Sequence, residues 1–155
     1  MKQLNIENVI KMIKAMSAIM AVLLILTGVA FAAERLCVIS DIANIRSGPG
    51  TRYDVLWQVE KYHPFIINKK KGDWYEIKDF ENDVAWIHKS LLSKIECVIT
   101  IKNKCNIRSR PDTKSQVLFI TEKGVPFKVL ERKKNWIKIK HGDGDVGWIY
   151  KTLVW

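Results

Sequence analysis

The chain has 155 residues, of which 48% are hydrophobic and 27% charged, and its 26 Lys and Arg against 16 Asp and Glu give a formal net charge of +10. That length admits one medium domain or two small ones, and the basic balance favours anionic partners: nucleic acid, lipid head groups or acidic cell-wall polymers. Cys37, Cys97 and Cys105 fall in no C-x-x-C spacing, which argues against a structural zinc site or a thioredoxin-like redox centre.

Residues 1–14 carry Lys2, Lys11 and Lys14, residues 15–33 are uncharged and mostly apolar, and the stretch closes on Ala30-Phe31-Ala32. A cationic start, an apolar segment that partitions into lipid and small residues at a cleavage site define a signal peptide, expected over 1–33 with cleavage after Ala32 or Ala33. The competing reading is an uncleaved anchor, since nineteen apolar-leaning residues can just span a bilayer. Either way the rest of the chain is exported to the periplasm or cell envelope. Nucleic acid then drops out as a partner, and membrane contact is expected only if the segment stays uncleaved. Without the first 32 residues the charge is +8.

Beyond the signal, residues 36–39 form an apolar run long enough for one strand. Residues 44–46 continue extended into Gly48-Pro49-Gly50, where proline fixes φ and glycine accepts positive φ. Residues 55–59 alternate, placing Val55, Trp57 and Val59 on one face. Residues 64–68 predict a further strand, ended by a polar hairpin at 69–73. Residues 74–78 alternate again, with Tyr75 and Ile77 on one face and Trp74, Glu76 and Lys78 on the other. A turn at 79–83 leads to a last strand at 84–88 and a short helical turn at 89–92.

The same course returns 62 positions later without a gap. Asn44-Ile45-Arg46-Ser47 is repeated as Asn106-Ile107-Arg108-Ser109, and the pairs Pro49/Pro111, Phe65/Phe127, Trp74/Trp136, Ile77/Ile139, Trp86/Trp148 and Leu91/Leu153 keep the register. Turn prolines, inward aliphatics and aromatics are what a shared fold preserves. Short strands, polar turns and no amphipathic helix predict an all-β fold: two tandem small β-barrels, over 34–93 and 96–155. A module of about 60 residues buries only about 60% of its unfolded surface, so each copy must be compact. The junction at 93–96 lacks Gly and Pro and should hold the barrels close.

Asn44 to Thr51, then Val55-Leu56, then Gly72-Asp73-Trp74, then Ala85-Trp86-Ile87 resembles the bacterial SH3 (SH3b) family. The second copy matches with Val117-Leu118, Asn135-Trp136 and Gly147-Trp148-Ile149. The resemblance covers about residues 36–155 and implies two SH3-like barrels and attachment to peptidoglycan or to an exported cell-envelope protein. It departs from the family at Arg110 and Asp112, where small turn residues are usual, and at Ala85, where glycine is usual. Proline-peptide binding by eukaryotic SH3 domains does not follow from the fold.

Three kinds of residue are candidates for ligand contact. Trp74 and Trp86, echoed by Trp136 and Trp148, fall opposite the inward isoleucines and can stack on a sugar or peptide. Core packing explains a repeated aromatic equally well and is the favoured role for these four. Tyr53 and Tyr62 have no aromatic counterpart in the second copy, so they are better ligand candidates, and Arg110 marks the turn where the copies differ. Arg46 and Arg108 can hold a carboxylate but are read as bracing their turn. The cysteines are read as small buried hydrophobes, ahead of a Cys97–Cys105 bridge.

No cofactor and no metal are expected. His63, His88 and His141 are scattered, none stands at ligand spacing from another His or Cys, and Asp143-Gly144-Asp145 is too short for a calcium loop. A Cys-His wall peptidase needs a further domain of at least about 100 residues, for which the two repeats leave no chain. The sequence therefore predicts an exported, non-catalytic binding module for peptidoglycan or a wall-associated partner; the alternative is an adaptor or inhibitor docking onto an exported enzyme.

Overall fold

A computed structural model describes residues 33–155; all but the last residue of the segment read as a signal peptide lies outside the described residues. The first barrel contains β1 (Arg35–Val38), β2 (Ile42–Arg46), β3 (Val55–Glu60), β4 (Pro64–Lys71), β5 (Trp74–Lys78) and β6 (Val84–His88). A single 3-10 turn (Lys89–Leu91) and the short β7 (Leu92–Ser93) close it. The second contains β8 (Cys97–Ile99), β9 (Cys105–Arg108), β10 (Val117–Thr121), β11 (Pro126–Lys133), β12 (Trp136–Lys140) and β13 (Val146–Tyr150), ending in a 3-10 turn at Lys151–Leu153. The antiparallel strand orders are β3-β2-β6-β5-β4-β1-β7 and β10-β9-β13-β12-β11-β8. Where β7 pairs Leu92 with Val38, the second barrel makes the equivalent bridge between Thr100 and Val154.

The hairpin tips fall later than the lysines suggested. β4 runs on through Lys69, Lys70 and Lys71, and Gly72 at φ 59° makes the turn. An extra residue in β4, Asn68, lets the strand continue past the point where alternation breaks, and Leu130 is its counterpart in β11. A second pair of bulges places Leu56 and Leu118 out of register with β2 and β9. These bulges explain exposed leucines and correct the predicted face of β3: Val59 is buried, but Val55, beyond the bulge, is 45% exposed.

Each core is built from the inward positions of the repeat. Ile45, Phe65, Ile77 and Ile87 fill the first, and Ile107, Phe127, Ile139 and Ile149 the second, all 0–1% exposed. Where Val38 is apolar, its counterpart Thr100 is equally buried, and its Oγ1 bonds to the Glu122 and Val125 carbonyls at 2.5 and 3.2 Å. That pairing removes the desolvation cost of the hydroxyl.

The cysteine expectation is corrected in part. Cys37 of β1 is bonded to Cys97 of β8, with Cα atoms 6.4 Å apart, so the bridge crosses between barrels. Sequence reasoning missed this because the partners lie in different copies at unrelated repeat positions. Cys105, by contrast, does behave as a small hydrophobe: it is 0% exposed and takes the core position of Ala43. Around the disulfide, the Arg35 guanidinium lies 3.7 Å over the Trp155 ring. Lys123 reaches back to Glu81 at 2.6 Å. The junction therefore joins two barrels that also touch through side chains of both.

Candidate functional site

In both barrels the opening turn is braced by its arginine. The Arg46 guanidinium donates to the carbonyls of Thr51 and Tyr53 at 3.2 and 2.8 Å, and that of Arg108 to the carbonyl of Ser115 at 2.7 Å. The turn itself is filled differently. A Cβ at Gly48 would strike the Tyr53 ring, whose Cε1 would lie 2.5 Å away, so Tyr53 packs flat on a glycine backbone. The second barrel has Arg110 there, with Ser115 in place of Tyr53. The Ser115 hydroxyl donates to the carbonyls of Arg110 and Asp112 at 2.9 and 2.7 Å. Tyr53 therefore packs on its own turn while remaining half-exposed, and Arg110 is exposed.

Beside each turn lies an aromatic groove on the outward face of the sheet. Register places Trp74 of β5 opposite His88 of β6, and Glu76 opposite Trp86. Trp74 and His88 meet edge to face with ring centroids 5.2 Å apart. Trp136 and Tyr150 repeat this at 5.3 Å. The first groove, about 470 Å³, is lined by Asn44, Arg46, Thr51, Trp74, His88 and Ser90 among others, and His88 Nδ1 lies 2.7 Å from Ser90 Oγ. The second, about 280 Å³, is lined by Pro111, Lys133, Lys134, Asn135, Trp136 and Tyr150.

The sequence candidates thus separate. Trp74 and Trp136 are half-buried groove walls; Trp86 is half-buried two residues along the same face, opposite Arg46. Trp148 is 8% exposed, which leaves it little surface for a ligand. Tyr62 lies in none of the described grooves, but it holds φ 72°, a conformation its counterpart Gly124 adopts at φ 88°. His88 and Tyr150 were missed as groove members. Their place opposite the tryptophans depends on the length of the intervening turn, and only the paired register reveals it.

Cys105, His63 and Asp73 are each shifted by their surroundings. Burial pushes the Cys105 thiol above its ordinary pKa, and its Sγ lies 3.3 Å from the Lys102 carbonyl. Burial pushes His63 down to about 4; its ring packs on Phe65 at 4.7 Å, and its Nε2 has no hydrogen-bond partner among the described residues. Asp73 is held below the usual carboxylate range by Lys89, 2.8 Å away at the rim of the first groove.

Two small antiparallel barrels, each with a braced opening turn and an aromatic groove beside it, define a tandem β-barrel module. Residues 40–94 and 102–155 match the family described as bacterial SH3 domain, and the chain belongs to that family. It is 27% identical over 126 residues to the Bacillus subtilis (strain 168) protein named "Putative N-acetylmuramoyl-L-alanine amidase YrvJ". The match covers 74% of this chain but 24% of that protein. Among solved structures it is similar to NlpC2 from Trichomonas vaginalis (11% identity, TM-score 0.36, covering 80% of this chain and 48% of that one). It is likewise similar to an NlpC/P60 family protein from Bacillus cereus ATCC 10987 (12%, TM-score 0.38, 79% and 56%).

Proposed function

We propose that this chain is an exported, non-catalytic wall-binding module whose two grooves contact peptidoglycan. The observation that carries the reading is the recurrence of one construction at equivalent positions: a half-buried tryptophan, an edge-to-face aromatic neighbour and a braced turn. A flat indole face with polar groups around it suits stacking on a sugar ring or the apolar part of a peptide. Alignment of most of the chain with part of a relative named as an amidase supports a wall setting. A non-catalytic role is supported by the raised pKa of the buried Cys105 thiol, because a nucleophilic cysteine needs the opposite shift.

Co-sedimentation with purified sacculi tests this. The full chain is expected in the pellet at physiological salt, and Trp74→Ala with Trp136→Ala should return most of it to the supernatant. Recovery of all wild-type protein in the supernatant sinks the reading. A stoichiometric protein crosslink in its place would establish the adaptor alternative.

A further inference from the structure

The net charge is divided very unequally between the barrels. Residues 34–95 hold ten Lys and Arg against nine Asp and Glu, a net of +1, whereas residues 96–155 hold thirteen against six, a net of +7. The asymmetry arises at equivalent positions. Asp41, Asp54, Asp73 and Asp79 become Asn103, Gln116, Asn135 and His141; Ile66 and Glu76 become Lys128 and Lys138. Along the outward face, Lys128 stands directly opposite Lys140, a like-charge cross-strand pair that is unfavourable unless an anion lies between or near the two.

The linings of the two grooves coincide only at the aromatic pair, and the division is clearest around that pair. Around Trp74 and His88, the Asp73 carboxylate neutralises Lys89 at 2.8 Å. Around Trp136 and Tyr150, Asn135 takes the place of Asp73. Among the described residues, none of Lys133, Lys134 and Lys151 has an ion-pair partner, and all three are exposed. A second, independent observation concerns the backbone. Lys134 holds φ 54° at the hairpin tip where the first barrel uses Gly72 at φ 59°. Lysine adopts that left-handed conformation at a cost glycine avoids, and such costs cluster at functional sites.

We propose that the second groove takes one repeat of an anionic glycopolymer. Its phosphodiester or carboxylate would sit against Lys133 and Lys134, which line the groove, and its sugar or polyol on the Trp136 face. Lys151 stands beside the groove, its backbone N–H bonded to the Asn135 carbonyl at 2.9 Å. The first groove, where the Arg46 guanidinium is tied to carbonyls of its own turn and Lys89 is paired with Asp73, takes uncharged wall material. The barrels thus divide one task between a charge-reading and a neutral groove. This rests on the wall-binding reading above and assigns the second barrel its own ligand class.

The test uses the full chain with purified poly(glycerol phosphate), a polyuronate and a neutral glycan of matched length. The two anionic arms separate phosphodiester from carboxylate recognition. Binding to at least one polyanion is expected, falling as salt rises. Lys133→Gln, Lys134→Gln and Lys151→Gln combined should weaken it on the order of tenfold or more, since these exposed changes remove the local positive field. Asn135→Asp, which restores the ion pair of the first barrel, should weaken it several-fold with an unchanged thermal midpoint. Lys69→Gln with Lys71→Gln, both exposed on the first barrel's hairpin, should have little effect. Equal binding by the triple variant and wild type, or an equal loss from the first-barrel variant, overturns the proposal, as does equal, lysine-dependent binding to vesicles of anionic phospholipid. Sacculi stripped of phosphodiester polymers with hydrofluoric acid separate the two readings: wild type still pelleting there upholds peptidoglycan contact even if the polyanion proposal fails.

Discussion

The two barrels reach the same backbone with different residues at the same turns, and the pattern of exchange tells apart frame and freedom. Three left-handed positions recur in both: Tyr62 and Gly124, Gly72 and Lys134, Asn82 and Gly144, all with φ between 54° and 113°. At the opening turn, a tyrosine on a glycine backbone is exchanged for a serine that bonds two carbonyls. In the core, Ala43 and Ala85 are matched by Cys105 and Gly147, while Ile45/Ile107, Phe65/Phe127, Ile77/Ile139 and Ile87/Ile149 stay fixed. Geometry is held constant and local chemistry is not, so residues that differ without changing the backbone are where the copies can diverge in what they bind.

The strongest way to break the comparison is to separate the barrels. The Cys37–Cys97 bridge closes a loop with a sequence separation of 60, for which chain entropy gives a stabilisation of ~4 kcal/mol. Cys37→Ser is expected to lower the denaturation midpoint by a comparable free energy and to replace one transition by two as the barrels unfold apart. Equilibrium denaturation with and without reductant checks it: wild type under reductant should match the variant, and an insensitive midpoint would refute the role of the bridge. Thiol counting should find one unreactive thiol, Cys105, in the folded protein and none gained until unfolding.

Acid should then distinguish the barrels. His63 is 8% exposed, and burial holds its pKa at about 4 against an ordinary 6.5. The folded state binds the proton less readily than the unfolded chain. Stability is therefore complete above about pH 6.5, declines as pH falls toward 4 and levels below it. The difference amounts to roughly 3 kcal/mol. Glu60, Asp79, Glu81 and Lys123 share its cleft, yet desolvation is the cause of the shift. Val125 occupies the equivalent position in the second barrel, so the loss should fall on the first. Amide exchange at pH 5 and 7 reports it barrel by barrel, and His63→Val should remove the difference.

A core substitution sharpens the contrast next. A Cβ on Gly147 would strike Ile107 Cγ2 and come within 3.2 Å of the Arg108 carbonyl oxygen, whereas Ala85 carries one at the matching place. Gly147→Ala is expected to destabilise the second barrel by about 1–3 kcal/mol through overpacking, read as a lower thermal midpoint. An unchanged midpoint would mean that the second core can relax as the first has.

Much of this frame was legible in the sequence, and the reasons are physical. Strand faces follow from side-chain alternation, and a 62-residue echo supplies every boundary twice, so β5, β6, β12 and β13 stand where alternation put them. Three features were not legible. Bulges at Leu56 and Asn68 shift faces without a distinctive residue. The inter-barrel disulfide depends on docking, which no local pattern encodes. The groove partners His88 and Tyr150 depend on hairpin register, and no local pattern reveals that the unshared Tyr53 packs on the equally unshared Gly48.

The smallest expected effect tests whether unshared residues serve the turn or a ligand. Tyr62 holds φ 72° where Gly124 holds φ 88°. A left-handed conformation costs a residue with a Cβ about 1 kcal/mol or more. Tyr62→Gly recovers that strain but restores freedom to the unfolded chain worth about 0.5 kcal/mol, so a net gain of roughly 0.5 kcal/mol is expected. If Tyr62 stabilised its own turn by packing, the variant would lose stability. If the ring is kept for contact with a wall partner, the variant gains stability while retention on sacculi falls. Measuring both quantities on the one variant separates these outcomes, because strain relief and ligand contact move them in opposite directions.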